Sequence, residues 1–301
     1  MKTSVLIIIL FLVFTICQNC NRYQDETVNK RRIISLSPFI TEIIYALDAG
    51  DDLIAVSDYC SWPQEAKYLR KIGGLLDPNI EEIVVLKPTY IFGQPAHTEL
   101  KQQLEKFGLN IIMISNEDIK DILNAIKRIG KELDHNTQAT ELISAIRDSL
   151  RMIGDNVCSN ESVAFQPAGI QQKDSITAIL VIGREKGGLR NMTVAGTNTF
   201  IGEMWELAGG KNLYSDLTSR YSLVSLESIL IRNPDVIIEF DPGGERMVKR
   251  EVITAEWEIL KQVKAIKKGN LFLVSGEHIF IPGPRFYLLA QDFDILMKMA
   301  K

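Results

Sequence analysis

Two stretches of this 301-residue chain share one layout: "NIEEIVVLKPTYIFG", residues 79–93, and "SLESILIRNPDVIIEF", residues 225–240. In each, an early glutamate opens a short apolar helix, a proline stops it, and the residues beyond read as a buried strand. A helix–strand unit that returns once constrains the chain to two α/β lobes facing one another.

The surrounding segments fill in that frame. "RRIISLS" is a short β-branched strand, Ser37 is placed to cap the next helix and Pro38 to open it, and "PFITEIIYALDAG" should end near Gly50. "LIAVS" and "NIIMIS" are strands, and "HTELKQQLEKFG" is a helix closed by Gly108. The order βαβαβ predicts a parallel sheet covered by helices over residues 31–118. The second lobe, residues 154–301, starts with a polar surface excursion over 154–175. Strands "ITAILVIG", "DVIIEF" and "NLFLVS" then alternate with helices "TFIGEMWELAGG", "EWEILKQVKAIKKG" and "PRFYLLAQDFDILMKMA". Between the lobes, apolar residues recur at helical spacing: Ile122, Ile126 and Ile129, then Leu142, Ile146 and Leu150. Residues 119–153 therefore bridge the lobes as a long α-helix, with Gly130 and the polar "DHNT" allowing a break into two helices at an angle. The expected fold is α/β, two Rossmann-like lobes with parallel sheets and a helical bridge.

The start, "MKTSVLIIILFLVFTICQNC", carries one positive charge, Lys2, then an unbroken apolar run from Val5 to Phe14. That run is too short for a membrane span and has the length of a signal-peptide core, so residues 1–19 read as an export signal. A cysteine after such a run resembles a bacterial lipobox, whose cysteine becomes the lipidated N-terminus. Asn19 before Cys20 suits the peptidase better than the larger Ile16 before Cys17, which makes Cys20 the expected anchor, with a plain signal peptide or an uncleaved anchor as the alternative. Residues 20–30 are then a polar tether, and the protein is periplasmic or held at the cell surface. Cys60 and Cys158 read as two free, mostly buried thiols.

Little in the sequence is arranged for catalysis. His97, His135 and His278 stand far apart with no helical pairing, so no metal site is expected. His97 and His278, which both follow strand ends, are the one pair a cross-lobe site could use. "GREKGGLRN", residues 183–191, has neither Walker spacing nor GxGxxG and reads as a polar loop at a cleft mouth. There is no GxSxG, and Glu81–Glu82 and Asp51–Asp52 stand where helix starts and turns favour acids. A formal charge of −4 speaks against nucleic acid.

Ligands of such sheets sit outside the carboxyl ends of the strands. Those ends carry Tyr59, Trp62, Leu75, Leu76, Gln94 and His97 in the first lobe. In the second they carry Arg184, Arg190, Phe280 and Arg285. Aromatic and apolar residues with a few polar groups suit a large, partly apolar ligand, although Trp62 and Phe280 suit loop packing equally well.

From residue 31 onward, save 154–175, the chain resembles the substrate-binding proteins of ABC importers for vitamin B12 and ferric siderophores. These are the helical-backbone, class III periplasmic binding proteins. The likeness rests on "RIISLSPFITEIIYALDAGDDLIAVSDYCSWP", "NIEEIVVLKPTYIFG", "GREKGGLRNMTVAGTNTFIGEMWELAGG", "SLESILIRNPDVII" and "IPGPRFYLLAQ". It implies a non-enzymatic receptor with a rigid bridge and small opening motions, expected as a monomer without a resident cofactor. Such a receptor passes a metal chelate to a permease dimer through one acidic residue on each lobe. Those residues fall at Glu81 and Glu227, with Glu82 as the other choice in the first lobe. In the B12 branch the loop matching "SDYCSWP" supplies an aromatic wall, here Tyr59 with Trp62. Two tryptophans of that branch fall at Leu75 and Gln94, a departure that leaves room for another corrinoid or a ferric siderophore. Haem binders of the family coordinate iron through tyrosine, which Tyr59 would suit. A haem or metal-binding protein and an extracytoplasmic enzyme on the same lobes are the rival readings.

Overall fold

A computed structural model gives the fold and describes residues 30–153, 175–185, 187–241 and 250–300. Cys17, Cys20, Cys158, most of the tether and nearly all of the 154–175 excursion lie outside the described residues.

The first lobe contains β1 (Ile33–Ser35), α1 (Pro38–Ala46), β2 (Leu53–Val56), β3 (Arg70–Lys71), α2 (Ile80–Val85), β4 (Tyr90–Gly93), α3 (Thr98–Glu105) and β5 (Ile111–Met113). Its five strands lie in the order β3-β2-β1-β4-β5 and every neighbouring pair is parallel. Pro38 opens α1, but Ser37 makes no side-chain cap; its hydroxyl donates to Gln94 Oε1 at 3.4 Å instead.

The bridge is two helices, α4 (Ile119–Glu132) and α5 (Asn136–Arg151). The break falls at Asp134, which takes a left-handed φ of 57°. Gly130 lets the pair pack closely, since a Cβ there would meet Ala139 Cβ at 2.6 Å. The bridge's apolar stripe (Ile119, Ile122, Ile126, Ile146) sits in one continuous core with Phe39 and Ile40 of the first lobe and Trp205 and Leu289 of the second. The buried stripe of the bridge is thus part of a core shared by both lobes.

The second lobe contains β6 (Thr177–Gly183), β7 (Met192–Ala195), α6 (Phe200–Leu207), β8 (Lys211–Asn212), β9 (Tyr221–Val224), α7 (Leu226–Arg232), β10 (Val236–Asp241), α8 (Arg250–Trp257), α9 (Lys264–Lys268), β11 (Leu271–Ser275) and α10 (Tyr287–Met299). The sheet order is β11-β10-β6-β7-β9, with β8 beside β6. It is mixed rather than parallel throughout, because β7 runs antiparallel to both β6 and β9. The single helix expected over "EWEILKQVKAIKKG" is broken by a 3₁₀ turn at Glu258–Leu260.

The two repeat copies match in detail. Asn79 caps α2 by accepting from the Glu82 amide at 3.1 Å, and Ser225 caps α7 by accepting from the Ser228 amide at 3.2 Å. Ile83 and Ile229 are both buried. Each helix leads into the strand second from its sheet's edge, β4 and β10.

Candidate functional site

A cavity of about 460 Å³ lies where the second lobe meets the segment entering α4. Asn116 and Glu117 line it from that segment, and Ile182, at the carboxyl end of β6, forms part of the opposite wall. Phe200 and Ile201 open α6, whose first turn is held by Thr199 Oγ1 accepting from the Gly202 amide at 3.1 Å. Tyr221, Phe280 and Pro282 complete the apolar surface. Arg220 lines the cavity as well and forms an ion pair with Glu117, both side chains being 43% exposed. Arg220 is further held by its Nε donating to the Asn198 carbonyl at 3.0 Å.

Beside this pair the second lobe grips the bridge again. The Ile119 amide, at the start of α4, donates to Glu203 Oε2 at 2.9 Å. Burial pushes the Glu203 carboxyl up to about 7, and Asp118, Glu206 and Asp121 add to the shift against the opposing pull of the Ile119 amide.

The "SDYCSWP" loop of the first lobe also reaches the second lobe. The Arg285 guanidinium stacks over the Trp62 ring, 4.5 Å from its centroid. The same guanidinium grips Glu42 with two bonds, Nε to Oε2 at 3.0 Å and Nη2 to Oε1 at 2.6 Å. Ser61 Oγ donates to Glu277 Oε2 at 3.1 Å. The loop is thus tied to segment 277–285, which contributes Phe280 and Pro282 to the cavity. Beneath the loop, the Cys60 thiol is buried against Thr41 and Ser57, and burial pushes its pKa up. Such a thiol is inert.

The remaining sequence candidates divide clearly. Tyr59 is 69% exposed, and Leu75 and Gln94 are half-buried. The Gln94 amide donates to His97 Nδ1 at 3.0 Å, and burial pulls the His97 pKa down. Arg184 turns inward: Nε bonds Glu239 at 2.9 Å and Nη2 bonds Glu256 at 2.6 Å, with 8% of the side chain exposed. Trp257 Nε1 donates to the other Glu239 oxygen at 2.8 Å, so this charge stitches β10 to α8 rather than facing a cleft. Arg190 is 80% exposed and pairs with Glu185 on the β6–β7 hairpin. His278 bonds Asp292 at 3.1 Å, and no group of three potential metal ligands converges among the described residues. Asn116, Glu117, Phe200, Ile201, Arg220 and Tyr221 escaped the sequence reading. Phe200 and Ile201 stand in the sequence only as the opening of the helix "TFIGEMWELAGG".

Glu81 and Glu227 are exposed at equivalent helix starts, and neither forms an ion pair among the described residues. Glu82 is occupied by Arg70. Its own backbone amide and the Ser225 hydroxyl hold the Glu227 carboxyl below the usual range.

Two α/β lobes on a buried helical bridge, with an aromatic-lined cavity beside it, define a bilobal solute-binding protein. The chain belongs to the periplasmic binding protein family, whose model matches residues 33–277. It is 26% identical over 256 residues to a vitamin B12-binding protein of Vibrio parahaemolyticus, covering 84% of each chain. It is 24% identical over 269 residues to an uncharacterised ABC transporter substrate-binding lipoprotein of Bacillus subtilis, covering 87% of this chain and 79% of the relative. The crystal structure of a periplasmic haem-binding protein of Vibrio cholerae shares the fold with a TM-score of 0.74 at 21% identity, covering 89% of this chain and 99% of that one. The protein is therefore a non-enzymatic binding protein of that family.

Proposed function

We propose that this chain is an exported, lipid-anchored receptor that captures a metal chelate and delivers it to an ABC importer. A cobalamin-like corrinoid is the first candidate and a ferric siderophore the second. The cavity carries the proposal: Phe200, Tyr221 and Phe280 offer an apolar wall, and Glu117 with Arg220 offers one charge of each sign at its edge. A large ring with an apolar face and a polar rim matches such a lining. Tyr59 and Trp62 are exposed aromatics of the first lobe, and the B12-binding relative supports the corrinoid. Delivery runs through Glu81 and Glu227, each meeting a basic group of one permease subunit.

Haem is the second reading, favoured by the exposed phenol of Tyr59, which is free to serve as an axial ligand. Titration with cyanocobalamin, hemin, and hydroxamate and catecholate ferric siderophores separates the candidates. A Soret shift with hemin that disappears in Tyr59→Phe establishes haem; saturable one-to-one binding of cyanocobalamin establishes the corrinoid.

A further inference from the structure

We propose that Glu42 and Arg285 form a clasp across the lobes that sets the position of Trp62, which makes Glu42 a positioning residue for ligand capture. This rests on the reading of the cleft as the capture site. Glu42 lies within α1, where the neighbouring Phe39, Ile40, Ile43 and Ile44 are all buried core. Its side chain is 3% exposed. A carboxylate in such surroundings is costly unless paired, and burial does raise its pKa against the opposing pull of Arg285. Arg285 comes from the far end of the sequence, 243 residues away, and supplies both hydrogen bonds.

The same guanidinium meets two partners in two ways. Its edge is taken by the fork-to-fork bond to Glu42, and its face lies on the Trp62 ring at 4.5 Å. A planar, five-donor group can fix both partners at once, which a lysine cannot. The backbone is fitted to this arrangement: a Cβ on Gly283 would stand 3.0 Å from Glu42 Oε2, so the segment carrying Arg285 passes directly against the carboxylate. Buried ion pairs contribute little net stability compared with apolar packing, so geometry is what this one supplies. Holding Trp62 by its face gives the capture surface a fixed wall before any ligand arrives, which lowers the entropy lost on binding.

The test uses the full chain and its three tryptophans. Trp205 and Trp257 are fully buried and Trp62 is 46% exposed, so acrylamide quenching of native fluorescence reports on Trp62, with Trp62→Phe as the assignment control. In Glu42→Gln and in Arg285→Lys we expect the quenching constant to rise about twofold. We expect affinity for whichever of cyanocobalamin, hemin or ferrichrome the parent binds to fall about tenfold. Unchanged quenching in folded variants overturns the clasp, even if melting drops. Increased quenching with parental affinity overturns the positioning role. Should Glu42→Gln fail to fold, Arg285→Lys carries the test. If the parent binds none of the probes, the capture reading falls, and quenching alone still decides whether Arg285 holds Trp62.

Discussion

Lys87 and Asn233 take the same left-handed backbone, φ 45° in each, immediately before the proline that stops the helix of each repeat copy. Asparagine tolerates this conformation and lysine does so at some strain. That both copies keep it, together with the caps at Asn79 and Ser225, shows one helix–strand module built twice. Glu81 and Glu227 consequently project from equivalent places on the two lobes.

The first prediction follows from that equivalence. Glu81→Ala combined with Glu227→Ala should abolish uptake and docking to the purified importer, because each substitution removes one charge from the docking contact. Ligand affinity and folding should stay at parental values, because both glutamates are exposed and neither forms an ion pair among the described residues. Normal transport by the double variant would take both residues out of the mechanism.

Glu203 predicts a pH dependence. Its carboxyl titrates near 7 in the folded protein, against 4.5 for an unperturbed glutamate, so between those values the folded state holds a proton that the unfolded chain releases. Its contribution is fully present below the unfolded value and is lost as pH rises through about 7. Glu203→Gln stays neutral and still offers an oxygen to the Ile119 amide. Denaturant unfolding should find this variant about 1–3 kcal/mol more stable than the parent at pH 8, and little different at pH 4. An identical pH profile for both proteins would contradict the buried titration.

Arg184 separates structure from ligand binding. Removing it leaves the mostly buried carboxylates of Glu239 and Glu256 without their counter-charge. Arg184→Met should cost about 3–5 kcal/mol of stability. Affinity per folded molecule should be unchanged, since the guanidinium is turned away from the cavity. A selective loss of affinity with parental melting would return Arg184 to the binding surface.

The anchor is checked by fractionation. Cys20→Ser should leave the precursor unprocessed or release the chain from membranes. Unchanged membrane retention, with loss in Cys17→Ser instead, would move the lipid to Cys17.

The two-lobe plan was legible because proline stops and early glutamates punctuate both copies, and because Gly130 with "DHNT" marked the weak point of the bridge. The mixed sheet was not. In β9, Tyr221 and Leu223 face outward while Ser222 and Val224 are half-buried, so alternation points the wrong way. Charge pairing was equally hidden. Arg184 looked like a loop-tip cation because nothing local announces that Glu239 and Glu256 converge on it. Nothing local marks Glu42, and only the approach of Arg285 across the lobes explains a carboxylate in that core. Glu117 and Arg220 came together at the cavity for the same reason: pairs distant in sequence leave no periodic trace.

Calorimetric titration of cyanocobalamin into the parent and into Phe280→Ala asks whether a metal chelate binds in the cavity beside the bridge. One-to-one binding to the parent is expected, with a loss of about 1–3 kcal/mol in the variant, the range for removing one packed aromatic contact. Absence of binding for cyanocobalamin, hemin and the ferric siderophores alike, or binding that is indifferent to Phe280, would contradict it.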